Sequence, residues 1–207
     1  MKADSKEPPR SPRKGTKAPA AASARPKRIE PPHFPMSRKF GLHSTTIQPL
    51  QPSDRDTLLK FFGSHTRETI HLRYGYEISQ ITEARAAELV GVDQAKDAAL
   101  GVFETDQAVP LVAIGRYCLQ EDGTSAEVAF VVKEDRRHLG IATALLHILI
   151  RLAASRGLRT LEAQVLRENL PMLEIFARLG ARKSGITGTD SVGVTIDVAE
   201  AHRRLAK

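Results

Sequence analysis

The spacing of apolar residues changes between a two-residue period and a three-to-four-residue period several times after residue 40. Short apolar runs that are rich in β-branched residues and bounded by polar turns predict strands. The predicted strands cover residues 45–50, 98–103, 110–120, 126–133, 160–166 and 192–198. The second, third and fourth follow one another through short polar turns, so we expect them to form an antiparallel meander.

Helical spacing occupies the segments between these strands. It predicts helices over residues 53–62, 66–74, 82–90, 140–156 and 171–179, and a short helix at the C-terminus. The longest helix carries an apolar stripe through Leu145 and Leu149, and Gly157 follows it in the position of a C-cap glycine. Pro171 and Gly180 bound the next helix, as proline and glycine commonly do. The elements therefore predict a domain of the α/β (α+β) class.

Charge and composition divide the chain into a basic tail, residues 1–39, and a near-neutral domain, residues 40–207. The whole chain has 31 basic and 24 acidic residues and a formal charge of +7. The tail holds eleven Lys or Arg, three acids and eight of the twelve prolines, whereas the domain holds 20 basic and 21 acidic residues. A segment of this composition cannot bury enough apolar surface to offset its ordering entropy, so the tail is predicted to be disordered.

Three interpretations of the tail remain open. The tail is a solubilising leader, or it is an electrostatic tether to nucleic acid or to an acidic partner. In the third interpretation, the true translation start is Met36. Because the domain itself is near neutral, the sequence argues against a globular domain that binds nucleic acid through its own surface.

The composition excludes or disfavours several other classes of protein. The single cysteine, Cys118, excludes an intrachain disulfide and a zinc site built on several cysteines, and it is predicted to be a small core residue. The seven histidines show no metalloprotease spacing, so we expect no metal. No apolar run reaches the roughly 18 residues of a membrane span. The N-terminus lacks the apolar region of a signal peptide, so we expect a cytoplasmic protein without membrane contact.

Candidate chemistry lies at the junction between the predicted strand 126–133 and the longest helix. A strand end, a cationic loop and a helix start follow one another here. They comprise Val131 and Val132, then Arg136, Arg137 and His138, then Gly140-Ile141-Ala142-Thr143. First-turn N–H groups have no helical acceptor, and the helix dipole makes this end positive, so the junction can hold an anion such as a pyrophosphate. A purely structural helix start fits the same pattern.

The pattern Arg137-x-x-Gly140-x-Ala142 resembles the Arg/Gln-x-x-Gly-x-Gly/Ala signature of the GNAT acetyltransferase superfamily, whose acyl-CoA pyrophosphate sits on this loop. The preceding apolar strand and the following long helix match the context of that signature. The resemblance covers about residues 45–198. It implies the GNAT fold, in which helices flank a mixed, mostly antiparallel central sheet of about six or seven strands.

A second stretch, Asn169-x-x-Met172-x-x-x-Phe176-x-x-x-Gly180, is similar to the Asn-x-x-Ala-x-x-x-Tyr-x-x-x-Gly segment of the same family. The resemblance implies that Asn169 contacts the pantetheine arm of CoA or orders the strand-to-helix turn, and a plain polar helix-start residue is the alternative. Phe176 replaces the family tyrosine that protonates the leaving thiolate. Because a thiol has a pKa near 8.5, the thiolate can also leave unassisted.

The resemblance further implies acetyl-CoA as the co-substrate, no metal, and an amine as the acceptor. It assigns cofactor binding to Val131, Val132, Arg137, His138, Leu139, Gly140, Ile141, Ala142, Thr143 and Asn169. In the family, a backbone N–H of the strand before the loop polarises the thioester carbonyl, and here that strand ends near Val131 and Val132.

The front half of the domain, from residues 47–50 through residues 67–74, is similar to the GNAT domains of bacterial protein lysine acetyltransferases. This similarity implies a protein lysine as the acceptor. A small-molecule amine, a protein N-terminus, or an acyl-CoA-binding sensor without turnover remain as alternatives. His71, Arg73 and Tyr74 are predicted to border the acceptor cleft, either as substrate contacts or as surface and packing residues.

Glu127 is the candidate general base. A lysine amine has a pKa of about 10.4, so its deprotonation at pH 7 costs roughly 4–5 kcal/mol, which a positioned carboxylate can offset. Glu127 is the only acid in residues 126–132, and the corresponding strand of the lysine acetyltransferases carries a glutamate that serves as base. Strand alternation places Glu127, Ala129 and Val131 on one face, so an exposed residue on a half-buried strand is the alternative.

Overall fold

The computed structural model describes residues 29–66, 68, 81–105, 107–184 and 190–206. Most of the predicted tail and most of the predicted helix 66–74 lie outside these residues, and so do His71, Arg73 and Tyr74.

An extended β-sheet forms the centre of the domain. Its strands are β1 (Met36–Phe40), β2 (His43–Pro49), β3 (Ala98–Glu104), β4 (Leu111–Leu119), β5 (Ser125–Val132), β6 (Thr160–Leu166), β7 (Arg182–Ser184) and β8 (Ser191–Asp197). The spatial order is β1-β2-β3-β4-β5-β6-β8-β7. Only β5 and β6 pair in parallel among the described strands, which confirms the predicted mixed, mostly antiparallel sheet. The described sheet has eight strands rather than six or seven.

The strands that the sequence did not predict are both at the edges of the sheet. β1 pairs antiparallel with β2 from Met36 opposite Ile47 to Phe40 opposite His43, so the assignment of residues 36–39 to a disordered tail is wrong. Only Phe40, 3% exposed, is fully buried in β1, and without alternation the strand leaves no periodic signal. β7 has three residues, too few for a pattern to be detected.

The described helices lie between these strands and after the last one. They are α1 (Arg55–Gly63), α2 (Glu83–Val90), α3 (Ile141–Ser155), α4 (Leu170–Arg178) and α5 (Val198–Leu205), with short 3-10 turns at Pro52–Asp54 and Glu134–Arg136. Thr82 caps α2, because its hydroxyl accepts a hydrogen bond from the Arg85 N–H at 3.2 Å. Within the described part of the chain, no helix is long and apolar enough to cross a membrane.

The sheet separates two apolar cores. The α3 core includes Tyr117, Phe130, Leu145 and Leu149 and lies between the sheet and α3. The α1–α2 core lies on the opposite face and includes Leu58, Phe61, Leu89, Ile114 and Val131. Consecutive residues of β5 therefore belong to different cores, because side chains alternate across a strand.

A gap opens between the two central strands β5 and β6. They pair only from Ser125 opposite Thr160 to Glu127 opposite Glu162. β5 then continues to Val132 beside β4, while β6 continues beside β8. The edge of β5 beyond Glu127 is thus not paired with β6, and its backbone groups face the gap.

Candidate functional site

A wide groove formed by the described residues lies where β5 and β6 diverge. Its volume of about 810 Å³ falls within the roughly 300–1,000 Å³ of typical small-molecule sites. The end of β5, the loop before α3, the start of α3 and the start of α4 form its walls. The lining residues are Glu68, Phe130, Val131, Val132, Arg136, Arg137, His138, Gly140, Ile141, Ala142, Thr143, Glu168, Asn169, Pro171, Met172, Glu174, Ile175 and Arg178.

The loop before α3, residues 133–140, is named the cradle loop here. It makes a 3-10 turn, becomes extended at Arg137, and then takes left-handed conformations at His138 (φ +61°) and Gly140 (φ +83°). A side chain rarely tolerates such a φ, so the backbone favours glycine at position 140. A Cβ placed on Gly140 meets no described atom within 4 Å, so protein packing does not require glycine there.

The start of α3 is electropositive and uncapped. Gly140 has no side chain that could cap the helix, and the first turn carries no acid. The first helical hydrogen bond runs from the Ala144 N–H to the Gly140 carbonyl at 3.0 Å. The N–H groups of Ile141, Ala142 and Thr143 therefore lack a helical acceptor, and they border the groove where a phosphate can approach them.

Nine of the ten residues predicted to bind the cofactor line this groove. They are Val131, Val132, Arg137, His138, Gly140, Ile141, Ala142, Thr143 and Asn169. Leu139 does not line it, because its side chain packs against the α3 core beside Gly41. Any contact from Leu139 to a ligand in the groove must come from its backbone.

Arg136 has a different role from the one its position in the sequence suggested. Its Nε and Nη2 donate to the Glu104 carboxylate at 2.7 and 3.0 Å, and its Nη1 lies 2.9 Å from Asp135. Arg136 is 8% and Glu104 5% exposed, so the pair is buried. The hydrogen bond from Arg136 is the main cause that lowers the pKa of Glu104. Arg136 is thus neutralised by the protein and ties the cradle loop to the end of β3.

A second tie holds the beginning of the cradle loop. Glu134 accepts hydrogen bonds from the Thr66 N–H at 2.9 Å and from the Thr66 hydroxyl at 2.8 Å. Neither Glu104 nor Thr66 was predicted as a site residue. Each lies more than 30 residues from its partner, and a contact at that separation leaves no local signal in the sequence.

His65 lies between α1 and the cradle loop. Its Nδ1 lies 2.6 Å from the Phe61 carbonyl, and its buried Nε2 has no hydrogen-bond partner among the described residues. Burial is the main cause that lowers the pKa of His65 from 6.5. Its imidazole is therefore neutral at pH 7.

Glu127 lies outside the groove but beside it. Its side chain is exposed and points to the same face as Val131, towards α1 and α2. Cys118, half-buried, lies opposite it on β4, and Glu162 lies opposite it on β6. The groove begins at Phe130, three residues further along β5 and hence about 10 Å away. Glu127 can therefore receive a proton from a group that approaches the gap from the α1–α2 side.

Asn169 and Phe176 both have structural roles in α4. The Asn169 side chain accepts a hydrogen bond from the Met172 N–H at 3.3 Å and so caps the helix. Asn169 also lines the groove, where its side-chain NH2 group can donate to a ligand. Phe176 is 1% exposed and belongs to the α3 core, where its ring centre lies 6.5 Å from that of Phe130.

The described residues contain no group of three or more His, Cys, Asp or Glu that could hold a metal ion.

Comparison with known proteins identifies acetyltransferases among the relatives of this chain. The family model described as "Acetyltransferase (GNAT) domain" matches residues 45–182. Acetyltransferase Pat of Mycolicibacterium smegmatis is 32% identical over 136 residues, which are 65% of this chain and 40% of Pat. The chain therefore matches less than half of the length of that relative.

Solved structures show the same fold. The GNAT domain of S. lividans PAT superposes with a TM-score of 0.72 at 21% identity and covers 81% of this chain and 99% of that domain. Spermidine N-acetyltransferase of Vibrio cholerae, solved with CoA and spermine, gives a TM-score of 0.60 at 15% identity. The alignment covers 76% of this chain and 97% of that enzyme.

Proposed function

The chain belongs to the GNAT acetyltransferase family, and we propose that it transfers an acetyl group from acetyl-CoA to a protein lysine with Glu127 as the general base. The observation that carries the proposal is the cradle loop at the start of α3, where Arg137-x-x-Gly140-x-Ala142 borders the gap between β5 and β6. Acetyl-CoA carries a pyrophosphate that suits the uncapped helix start. It also carries a thioester that suits the unpaired edge of β5.

The reaction requires one bond to form and one to break. Glu127 takes a proton from the lysine ammonium group, directly or through water, and the neutral amine nitrogen attacks the thioester carbonyl carbon. The C–N bond forms and the C–S bond breaks. The nitrogen releases its second proton to solvent, and the CoA thiolate takes a proton from solvent. The Lys133 N–H donates to the Val112 carbonyl of β4, so strand alternation turns the Val132 N–H to the free edge of β5. This N–H stabilises the developing oxyanion.

A lysine acceptor is supported by the similarity to Pat and by the negative charge on the sheet face that bears α1 and α2. Glu127 and Glu162 lie opposite each other on adjacent strands, and both are exposed on the face of the sheet that bears α1 and α2. Their combined negative potential attracts a cationic side chain to the gap. The Pat match concerns 40% of that protein, so the acceptor is inferred from the matched domain alone.

Two other functions remain as candidates because specific observations favour them. Spermidine N-acetyltransferase has the same fold, which keeps a small-molecule amine as an alternative acceptor. Many family members carry a tyrosine at the position of Phe176, where it acts as the general acid. The buried Phe176 ring cannot donate a proton, which favours an acyl-CoA-binding sensor without turnover.

A thiol-release assay with acetyl-CoA separates these functions. The acceptors are a lysine peptide with a blocked N-terminus, a lysine-free peptide with a free N-terminus, and spermidine. We expect CoA release with the lysine peptide alone. Release with spermidine or with the free N-terminus would identify the acceptor as a different amine. Thermal stabilisation by acetyl-CoA without release by any acceptor would identify a sensor, and the lack of stabilisation would contradict the proposal altogether.

A further inference from the structure

The first two strands form a hairpin at the edge of the sheet, and this hairpin reaches the cradle loop. β1 and β2 pair antiparallel, and Gly41-Leu42 forms the turn between them. The two strands and their turn are named the N-terminal hairpin. The family model matches the chain from residue 45 onwards, so β1 and the turn precede the matched region.

The N-terminal hairpin is firmly attached to the rest of the domain. Phe40 is fully buried in the α3 core, and Met36 packs against the same core. The buried Thr45 hydroxyl donates a hydrogen bond to the Arg38 carbonyl at 2.8 Å, which holds β2 against β1. The turn therefore approaches the cradle loop from a packed support.

Two contacts connect this hairpin to the cradle loop. A Cβ placed on Gly41 would lie 3.5 Å from Leu139 Cδ2, so the backbone of the turn packs closely against Leu139. At the start of β2, His43 Nδ1 lies 3.4 Å from the Glu104 carboxylate, which is the partner of Arg136. Leu139 is thus held by the turn directly, and Arg136 is held through Glu104.

The two held residues lie on either side of the strained part of the cradle loop. His138 lies between them and has φ +61°, a left-handed conformation that is uncommon for a residue with a side chain. Such a conformation persists where the surrounding structure fixes it. The free N–H groups of residues 141–143 follow directly, so the conformation of the loop determines where these groups point.

We propose that the N-terminal hairpin positions the cradle loop for acetyl-CoA, with Gly41 and His43 as its positioning residues. The inference rests on the proposed function, because it takes the cradle loop as the pyrophosphate site. It adds two residues that do not line the groove. A loop that is already held in its binding conformation loses less conformational entropy when a ligand binds, so the hairpin strengthens binding. Because such coupling is reciprocal, a bound ligand also stabilises the hairpin.

A pair of glycine variants tests the effect of the hairpin on binding. Gly41 has φ +59°, and Gly123, in the turn between β4 and β5, has φ +66°, so valine strains the backbone at both positions. Valine at position 41 also presses against Leu139, whereas a Cβ at position 123 meets no described atom within 4 Å. The eight residues of β5 separate Gly123 from the cradle loop by more than about 20 Å.

We expect Gly41→Val to raise the dissociation constant of CoA by about fivefold or more, the lower end of typical coupling between two sites. Gly123→Val should leave this constant at the wild-type value. Calorimetric titration measures both, and thermal unfolding shows that each variant is folded at the temperature of the titration. Equal dissociation constants for the two variants would overturn the inference.

Hydrogen exchange of the wild-type protein tests the reciprocal effect and does not depend on any variant. We expect bound CoA to slow the exchange of the backbone amides in residues 36–47 by about fivefold or more beyond the change in α2. The α2 helix is the reference for global stabilisation, because none of its residues lines the groove. An equal change in the hairpin and in α2 would overturn the inference.

These outcomes can be distinguished from a failure of the proposed function. A wild-type protein that does not bind CoA contradicts both the proposed function and the role of the hairpin. A wild-type protein that binds CoA without additional protection of the hairpin contradicts only the role of the hairpin. Both experiments measure binding, so a protein that binds acetyl-CoA without turnover also gives an answer.

Discussion

At the scale of single residues, Glu127 and Glu162 lie opposite each other on β5 and β6, so one can serve as the control for the other in a test of the general base. Glu127→Gln keeps the shape of the side chain but removes its ability to accept a proton. We expect kcat to fall by about 10²- to 10⁴-fold, because general-base catalysis contributes that much, while the affinity for acetyl-CoA stays unchanged. Steady-state kinetics and calorimetric titration measure the two quantities.

Glu162→Gln is the matched control for this prediction. Glu162 lies opposite Glu127 on β6, is exposed, and carries the same charge. If Glu127 is the base, Glu162→Gln raises KM for a cationic acceptor and changes kcat little. An equal loss of kcat in both variants would mean that the face contributes only its negative potential, and Glu127 would no longer be the base.

The buried pair of Glu104 and Arg136 is expected to act as a positioning device for the cradle loop. Glu104→Gln leaves the buried Arg136 guanidinium with Asp135 as its remaining charged partner, and the loss of the charged hydrogen bonds lowers the free energy of unfolding by about 1.5–3 kcal/mol. We expect KM for acetyl-CoA to rise more than kcat falls. Leu58→Ala, in the α1–α2 core, is the control for stability, and it should leave KM unchanged. If KM for acetyl-CoA rises in proportion to the loss of stability in both Glu104→Gln and Leu58→Ala, the pair of Glu104 and Arg136 has only a structural role.

The same pair predicts a dependence of stability on pH. Because Arg136 lowers the pKa of Glu104 below its usual 4.5, the carboxylate form stabilises the folded state. This stabilisation is fully present above pH 4.5 and is lost as the pH falls through the lower folded-state pKa. The difference in free energy of unfolding between wild type and Glu104→Gln should therefore shrink in acid. Urea unfolding at pH 7 and at pH 3 measures that difference.

At the scale of elements, a glycine with left-handed backbone lies beside each end of α3. A comparison of the two positions distinguishes the effect of backbone strain from the effect on ligand binding. Gly140 has φ +83° and Gly157 has φ +77°, and a Cβ at either position meets no described atom within 4 Å. Alanine at each position should lower stability by about 1–2 kcal/mol, since the left-handed conformation disfavours a side chain. We expect only Gly140→Ala to weaken acetyl-CoA binding, because Gly157 lies at the far end of the helix. Thermal unfolding measures the effect on stability, and titration with CoA measures the effect on binding. Equal affinities of the two variants for CoA would contradict a role of the cradle loop in binding.

At the scale of the whole molecule, two truncations locate the boundary of the folded domain. Deletion of residues 1–28 removes most of the predicted tail, and we expect stability and acetyl-CoA binding to remain. Deletion of residues 1–40 also removes β1 and the buried Phe40, so the free energy of unfolding should fall by about 3–5 kcal/mol. Denaturant unfolding measures the difference, and equal stability of the two truncations would contradict a structural role for β1. Retention of the full chain and of each truncated protein on immobilised DNA is a separate measurement, and it tests the predicted electrostatic tether.

Much of the candidate site could be predicted because its residues are neighbours in the sequence. The end of β5, the cradle loop and the start of α3 follow one another over residues 131–143, so strand alternation, Gly140 and the helix start were visible in one segment. Leu139 shows the limit of that inference. It lies within the same segment, but its side chain turns into the α3 core, and the direction of a loop side chain depends on what packs around it.

Taken by itself, the sequence determined most of the strands and helices, which of their faces are apolar, and where an anion can meet an uncapped helix start. These properties are local, because they depend on side-chain period and on glycine at a left-handed position. Only the tertiary structure decided that β1 joins the sheet, that β5 and β6 separate beyond Glu127, and that Glu104 neutralises Arg136. Such contacts depend on strand register and packing between distant segments, and no local pattern specifies them.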